Sequence, residues 1–529
     1  MKEVSAEGGG DQGAASVPAP QNGNSIVLTR SMTKSKGEET YSYEHEDIGD
    51  KPSSFEVWGW YLYEFCSYFV QTVLIPVVFP LMISQLQHLP MDPVYDSWFL
   101  NHSGITCAQK QINLYSTLTQ HTISISGSSF SSLEWTSIAW GGGLALAAPI
   151  LAYISFHFNT NFQNLITAAA TGLGVFFCLP SGLFKTSKIF IPYIAAIVVA
   201  ATVTTASHTH HLALMVRALK KFSTTQGVSS HRFSLYATVA GSLGAAIVLS
   251  FTYHMLREPN EREYISLWIV SIFCGLVWLV GVLHAFTAEN RNSSNPIIPL
   301  SSRFQLFSIF KYPHAIGALV AVLLSQFATM SIFTGGVLYI VGQLCIKPVH
   351  LLYFWLTYFL FPMLSLPLLH PLQHLIKTSA VKMKIMGLLL SLLSSGFGFY
   401  FSNRHWKWPH LMVFGAIQGT ASGLLYTFGR VLVLETMESA PCGEESGFSV
   451  WYSWVRSVGL CGGFTVGAVV PGRVRTSFGA AFCSALVGIV VLLFGNVSDS
   501  GYGGGDVREG GEIRSHDPDA LDSKESFSV

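Results

Sequence analysis

The feature that most constrains this chain of 529 residues is a series of long apolar runs separated by polar segments. A helix needs about 20 mainly apolar residues to cross roughly 30 Å of hydrocarbon. Charged residues make up only 11% of the chain, against about 25% in a soluble domain, so most of the folded surface is expected to face lipid. The predicted spans are 57–85, 135–156, 162–184, 189–214, 233–255, 265–287, 313–342, 348–372, 384–402, 409–434, 447–471 and 476–497. The sequence therefore predicts an all-α integral membrane protein with twelve transmembrane helices.

The predicted spans divide into two groups of six at the polar segment 288–312. Two six-helix halves joined by a central linker are the layout of the major facilitator transporters, whose sites lie between the halves near the bilayer midplane. We therefore expect one half over 57–287 and the other over 313–497, with 288–312 as a cytosolic linker. The polar segments 1–56 and 498–529 are rich in small residues and are expected to be disordered cytosolic tails.

The distribution of basic residues gives the expected orientation of the spans. The loops on the two sides carry equal numbers of basic residues, with Lys384 among the inner ones, and the basic residues of both tails place the tails in the cytosol. The long segment 86–134 then becomes a lumenal loop. It contains the sequon at Asn101, a candidate glycosylation site that requires a lumenal or extracellular loop.

Composition and motifs argue against the common soluble functions. The formal net charge is zero, which gives no support for a nucleic-acid partner. The sequence contains no phosphate-binding glycine loop, no dinucleotide fingerprint and no Cys-x-x-Cys pair, so no cofactor, metal or catalytic residue is predicted. Most of the eight cysteines lie inside apolar runs, where they are expected to pack as small hydrophobes.

The polar side chains inside the predicted spans are the candidates for a substrate cavity or gate. An ionisable group at membrane depth costs roughly 2.5 kcal/mol or more, so it is usually paired or faces a water-filled cavity. These candidates are Glu64, Gln71, Gln326, Gln418, Tyr426, Arg430 and Arg456.

Three roles remain open for Glu64 in the first span. At 1.5 Å per residue it lies roughly 10 Å from the cytosolic end, a depth that Arg430 of the tenth span also reaches. The first hypothesis is an ion pair with Arg430 or Arg456 that closes the cytosolic side. The second is that the carboxylate binds a substrate ammonium or a proton. The third is an interfacial carboxylate without any role in transport.

The histidine-rich stretch of the fourth span, SHTHH, raises the possibility of a metal site. On a helix His208 and His211 share a face, whereas His210 points elsewhere. Two imidazoles make half of a site, and no carboxylate or thiolate is near them in sequence. A polar gate or interfacial histidines are therefore favoured over metal binding.

Two stretches resemble the autophagy-related vacuolar amino-acid effluxers (the Atg-type effluxer family), a branch of the major facilitator superfamily. The first is GWYLYEF, in which Gly59, Trp60, Tyr61, Tyr63, Glu64 and Phe65 match the first-helix signature of that family, with Glu in place of the usual Asp. The second runs from Gly415-Ala416-Ile417-Gln418-Gly419 to Arg430 and continues through Pro441 to Phe448. The resemblance departs after the second span, where residues 153–159 lack the charged residues that the family keeps.

The resemblance implies a transporter that releases neutral amino acids from a vacuole or lysosome-like compartment to the cytosol, linked to autophagy. The implied partners are amino acids, the lipid bilayer and a coupled proton, and the implied location is the vacuolar membrane with both termini cytosolic. Two alternatives remain: a transporter of another small solute, and a receptor or scaffold that kept the fold without transporting. A membrane enzyme is disfavoured because the sequence contains no histidine–carboxylate box or nucleophile–base pair.

Overall fold

The protein is an antiparallel bundle of long helices, described by a computed structural model over most of the chain. The described residues are 51–87, 109–125, 127–158, 162–183, 185–222, 228–257, 263–288, 300–376, 378–401, 406–439, 444–471 and 473–495. The predicted tails lie outside them, apart from residues 51–56, and so does Asn101.

Twelve long helices form the bundle in the described part of the chain. They are α1 (Ser54–Ser84), α2 (Ser132–Ser155), α3 (Gln163–Gly182), α4 (Phe190–Phe222), α5 (Val228–Arg257), α6 (Ile265–Thr287), α7 (Pro313–Gly342), α8 (Pro348–Ile376), α9 (Ala380–Tyr400), α10 (Trp408–Ser439), α11 (Glu445–Val469) and α12 (Val474–Phe494). We call the end of the bundle where α1 begins and α12 ends the terminal face, and the opposite end the far face.

Eleven of these helices are long and apolar enough to cross a membrane, counted over the described residues. The exception, α11, spans 25 residues but carries a row of buried serines together with Arg456. It packs against α7, α2 and α4, so much of its surface faces protein rather than lipid. The requirement for apolar side chains is therefore weaker in α11. The predicted all-α membrane fold is confirmed.

Helix α1 changes its winding in the middle. Residues Val70–Val78 form a π-helical segment that contains Pro76, between α-helical segments on either side. Proline has no N–H to donate and its ring displaces the preceding carbonyl, so the regular ladder cannot pass through this position. The irregular segment begins beside Gln71, in the centre of the bundle.

Two glycines of α11 set its close approach to α7. A Cβ atom at Gly459 would meet Gln326 and the backbone of Leu323, and one at Gly463 would meet Met330 and the backbone of Ser331. Small residues at such positions allow membrane helices to touch along their backbones, where dispersion replaces the hydrophobic effect as the source of stability. The contact holds Arg456, on the same helix, at a fixed position next to α7.

The segment predicted as a long loop after α1 has structure of its own. It contains a helix at Gln109–Thr119, which we call the loop helix, and a two-stranded antiparallel hairpin of β1 (Ile123–Ile125) and β2 (Ser128–Phe130). The linker between the two groups of six helices likewise contains 3₁₀ turns at Leu300–Lys311. These elements lie outside the bundle and close its two faces.

Two expectations need correction. Lys384 lies inside α9 with no exposed surface, so it does not belong to the loop charges used for orientation. Helix α1 begins at Ser54, and Glu56 is buried rather than part of a tail. The cysteines within the helices are free, as expected, and Cys345, between α7 and α8, is disulfide-bonded. The position of Lys384 shows that a lysine inside a helix can be mistaken for a loop charge when its helix begins one turn earlier than predicted.

Candidate functional site

A buried ion pair joins α1 to α10 in the centre of the bundle. Arg430 donates to Glu64 and also to the Tyr426 hydroxyl, and that hydroxyl donates to Glu64 Oε2 at 3.2 Å. Glu64 is 4% exposed and Arg430 2% exposed. The ion pair brings the two opposite charges together at a place that water does not reach. It also links a helix of the first six with a helix of the last six.

Arg456 of α11 lies on the other side of the same tyrosine. Its guanidinium carbon is 4.6 Å from the centre of the Tyr426 ring, and that of Arg430 is 4.7 Å from it. Arg456 is 4% exposed, and no carboxylate in the described part of the chain pairs with it. Its Nε atom has no hydrogen-bond partner. Arg456 is therefore a buried cation that lies over the face of an aromatic ring and has no carboxylate partner among the described residues.

Two small cavities meet at Arg456. Each has a volume of about 20 Å³, which is enough for a water molecule but too small for a solute. One is lined by Gln326, Thr329, Phe333 and Tyr358 among others, and the second by Glu64, Gln71, Thr205 and His208 among others. Tyr68, Tyr426 and Arg456 line both. The centre is thus polar, enclosed and made by both groups of six helices.

The remaining predicted site residues fall in two places. Gln71 donates to Ser457 of α11 at 2.9 Å, and Gln326 lines one of the cavities. Gln418 lies apart, because its face of α10 points to α9, where Ser394 donates to it, and it lines neither cavity. Gln418 is therefore an error among the residues expected at the cavity.

Contacts between the two groups of helices close the terminal face. Arg217 of α4 pairs with Glu445 of α11 and donates to the Met437 carbonyl of α10 at 3.1 Å. His231 of α5 lies 3.2 Å from Glu435 of α10. We call the pairs Glu64–Arg430 and Arg217–Glu445 the terminal gate, because together they tie α1 and α4 to α10 and α11.

The far face is covered by the loop helix. It packs against α1, α2 and α7, with the ring of Tyr115 against Gly342 and Ser132 donating to the Thr117 carbonyl at 3.1 Å. The loop helix therefore contacts helices of both groups. Both faces of the bundle are therefore covered, and the two central cavities are enclosed between them.

The histidines of α4 have acidic neighbours that their sequence surroundings do not show. Helix α1 places Glu64 Oε1 3.6 Å from His208 Nε2 and Glu56 Oε1 3.0 Å from His211 Nε2. His210 points away and stacks on Phe158, with ring centres 5.7 Å apart. Within the described residues, no group of three or more His, Cys, Asp or Glu side chains has the arrangement of a metal site.

Sequence reasoning missed two functional candidates, Glu56 and His284. The spacing Glu56-Trp60-Glu64 was the available signal, since positions four apart share one face of a helix. His284 gave no local signal. Its place between the rings of His208 and His211 follows only from the packing of α6 on α1.

Lys384 was also missed as a buried cation. Its ammonium donates to Ser325 Oγ at 3.1 Å and to the Leu425 carbonyl at 3.3 Å, and no carboxylate pairs with it in the portion of the chain that the structure covers. It thus ties α9 to α7 and α10 within the last six helices. Burying an ammonium without an opposite charge costs several kcal/mol, which two neutral acceptors offset only in part.

We expect Lys384→Met to raise the thermal unfolding temperature of the purified protein in detergent. Methionine has a similar length, fills the same space and removes the cost of burying a charge, a gain of about 1 kcal/mol or more. Lys382→Met, at an exposed position on the same helix, is the matched control and should leave the unfolding temperature unchanged. A lower unfolding temperature for Lys384→Met would show that its two hydrogen bonds outweigh the desolvation.

Comparison with known proteins identifies the fold. No protein-family profile matches the sequence, and no curated protein matches it. Among solved structures, the chain is similar to the crystal structure of the human organic anion transporter MFSD10 (TETRAN). The identity is 13% and the TM-score 0.54, with 83% of this chain and 99% of that chain covered. The fold is thus that of the major facilitator transporters.

Proposed function

We propose that the protein is a secondary transporter that carries a small carboxylate-bearing solute between the two groups of helices by alternating access. The observation that carries this proposal is Arg456, a buried guanidinium that lines both central cavities and pairs with no carboxylate among the described residues. Arginine binds carboxylates through two parallel hydrogen bonds, so an unpaired arginine in an enclosed polar centre fits an anionic group of a substrate.

In this cycle, the terminal gate is the part of the structure that opens and closes the terminal face. In the occluded conformation the pairs Glu64–Arg430 and Arg217–Glu445 hold the terminal face shut. Rupture of both pairs separates α1 and α4 from α10 and α11 and opens the central cavity to that side. The loop helix closes the far face and would move when the cavity opens there.

The resemblance to the vacuolar effluxers narrows the substrate to amino acids, whose carboxylate is the group that Arg456 would bind. The structurally similar MFSD10 is an organic anion transporter, which agrees with an anionic group on the substrate. We further propose that the terminal face and both termini are cytosolic, that the membrane is vacuolar, and that the protein releases amino acids to the cytosol during autophagy.

Transport by purified protein tests the proposal against the scaffold alternative. Vesicles containing the protein and loaded with unlabelled leucine should take up labelled leucine from outside by exchange, whereas protein-free vesicles should not. Leucinamide, which lacks the carboxylate, should not compete. Absence of leucine exchange, or competition by leucinamide as strong as that by leucine, would contradict the proposed function.

The compartment is tested separately in cells. During nitrogen starvation, vacuoles from cells that lack the gene should retain more amino acids than those from parental cells. A copy carrying Arg456→Gln is the matched control and should fail to restore release. Equal vacuolar amino-acid pools in all three strains would contradict the vacuolar location. The transport proposal would then depend on the vesicle measurement alone.

A further inference from the structure

Four ionisable side chains beside the central ion pair have no part in the transport cycle described above. They are Glu56 on α1, His208 and His211 on α4, and His284 on α6. Each is at most 3% exposed. Three imidazoles and a carboxylate, buried together in a membrane bundle, need a physical reason, since polar groups at membrane depth are costly.

These side chains form a continuous series that ends at Glu64. Glu56 Oε1 lies 3.0 Å from His211 Nε2, the rings of His211 and His284 are 5.1 Å apart at their centres, and those of His284 and His208 are also 5.1 Å apart. The last step, from His208 Nε2 to Glu64 Oε1, is 3.6 Å. None of these contacts is a hydrogen bond for His211 Nε2, His208 or His284 Nδ1, so proton transfer along the series would require a ring rotation or a bridging water.

The series begins next to the terminal face. Glu56 lies in the first turn of α1, directly after the exposed residues Ser54 and Phe55. From there the series runs inward to the ion pair of Glu64 with Arg430. The terminal gate closes this face to a solute in the same conformation, whereas a transfer along these side chains needs no opening wide enough for a solute.

Imidazole chemistry fits this placement. A neutral imidazole carries one N–H donor and one bare nitrogen, so it can accept a proton on one side and release another from the opposite side. Both nitrogens of His208 and Nδ1 of His284 lack a hydrogen-bond partner. Buried nitrogens without a fixed partner are free to exchange protons with their neighbours in the series.

The other ionisable groups around the series do not interrupt it. Arg217 is held by Glu445, and Arg430 by Glu64. The ring of Tyr63 lies 4.3 Å from that of His208, and both side chains line the second cavity. The titratable or charged groups that face the series from the packed helices are Tyr63 of α1, His210 and Arg217 of α4, Tyr426 and Arg430 of α10, and Tyr452 and Arg456 of α11. All but His210 are tyrosines or arginines, which do not exchange protons readily near neutral pH.

We propose that Glu56, His211, His284 and His208 relay protons between solvent at the terminal face and Glu64, and that the proton is the coupled ion. This inference rests on the proposed transport. A proton enters at Glu56, each imidazole gains one proton on one nitrogen and loses one from the other, and Glu64 gains the only net proton. The carboxylate becomes neutral while Arg430 keeps its charge, so the pair that ties α1 to α10 weakens.

Two vesicle measurements separate the relay from transport itself. At equal pH on both sides, leucine exchange should continue in His211→Gln and in His284→Gln, whose side chains line neither central cavity, because exchange requires no net proton movement. Accumulation of leucine driven by an imposed pH gradient should fall about tenfold or more in both variants, because glutamine cannot carry a proton. His210→Gln is the matched control on the same helix and should keep both activities.

The outcomes discriminate between the two proposals. Exchange without gradient-driven accumulation in the wild-type protein would overturn the relay and leave the transport proposal standing. Full accumulation in His211→Gln and in His284→Gln would also overturn it. Loss of exchange in both of these variants but not in His210→Gln would assign the two histidines a role in substrate movement itself and contradict a role limited to protons.

An infrared measurement without substrate tests the proposed relay even if the protein does not exchange leucine. After a rapid drop in pH, the infrared C=O band of protonated Glu64, identified by its loss in Glu64→Gln, should appear in the wild-type protein. Its appearance should slow about tenfold or more in His208→Gln and keep its rate in His210→Gln. A band that never appears, or that appears equally fast in His208→Gln, would refute the relay.

Discussion

Glu64→Gln is expected to reduce exchange and gradient-driven transport in vesicles to near background and to lower the thermal unfolding temperature. Removing one partner of a buried ion pair leaves an uncompensated charge, at a cost of about 3 kcal/mol or more. In this protein that charge is Arg430, held between Glu64 and Tyr426 with almost no exposure. Loss of the pair also removes the main polar link between α1 and α10.

The charge-swapped protein, with Glu64→Arg and Arg430→Glu together, is the control for this prediction. An exchanged pair restores the attraction between the two helices, so transport should recover above that of either single variant. Near-normal transport in Glu64→Gln alone would contradict a gating role and favour an interfacial carboxylate. Recovery of stability without recovery of transport would indicate that Glu64 acts through its proton and not only through its charge.

Arg456→Gln is expected to weaken substrate binding with little change in stability. A charged hydrogen bond contributes about 2 kcal/mol, so the concentration of leucine for half-maximal exchange should rise roughly 30-fold. Because Arg456 has no carboxylate partner among the described residues, its removal leaves no opposite charge unpaired. Exchange measured over a range of leucine concentrations separates this loss of affinity from a loss of rate.

Arg456→Lys and the neighbouring Ser457→Ala test the specificity of that effect. Lysine keeps the charge but not the two-pronged geometry, so it should restore part of the affinity. Ser457 accepts from Gln71 without facing the proposed carboxylate, and its removal should change affinity by about threefold at most. An unfolding temperature that falls sharply in Arg456→Gln would show that the arginine stabilises the bundle instead of binding substrate.

Much of the fold could be predicted because membrane helices are defined by local composition. Each must satisfy its own backbone hydrogen bonds and cover about 30 Å of hydrocarbon, so an apolar run shows its presence without reference to other segments. The predicted limits of α7, 313–342, match the observed Pro313–Gly342. The limits of α9 and α1 were set a few residues too late, and Lys384 and Glu56 were misplaced for that reason.

The candidate site could be predicted only in part. The depth of a residue in the membrane follows from its position along a predicted span. From that position alone, Glu64 and Arg430 are expected at the same depth. The face of a buried helix does not follow from sequence when all of its faces are apolar, and Gln418 was misplaced for that reason. Nor does sequence spacing reveal that α1 lies beside α4 and α6, which brings two carboxylates to three histidines.

The sequence by itself determined that this chain forms a membrane bundle of α-helices with a few ionisable groups at depth, because the hydrophobic length of each segment is a local property. The tertiary structure alone decided which of those groups meet. It paired Glu64 with Arg430, placed Arg456 at the cavities without a carboxylate partner among the described residues, and aligned the histidines towards the terminal face. Partner choice depends on how helices distant in sequence rotate and pack against one another, and no single segment encodes that.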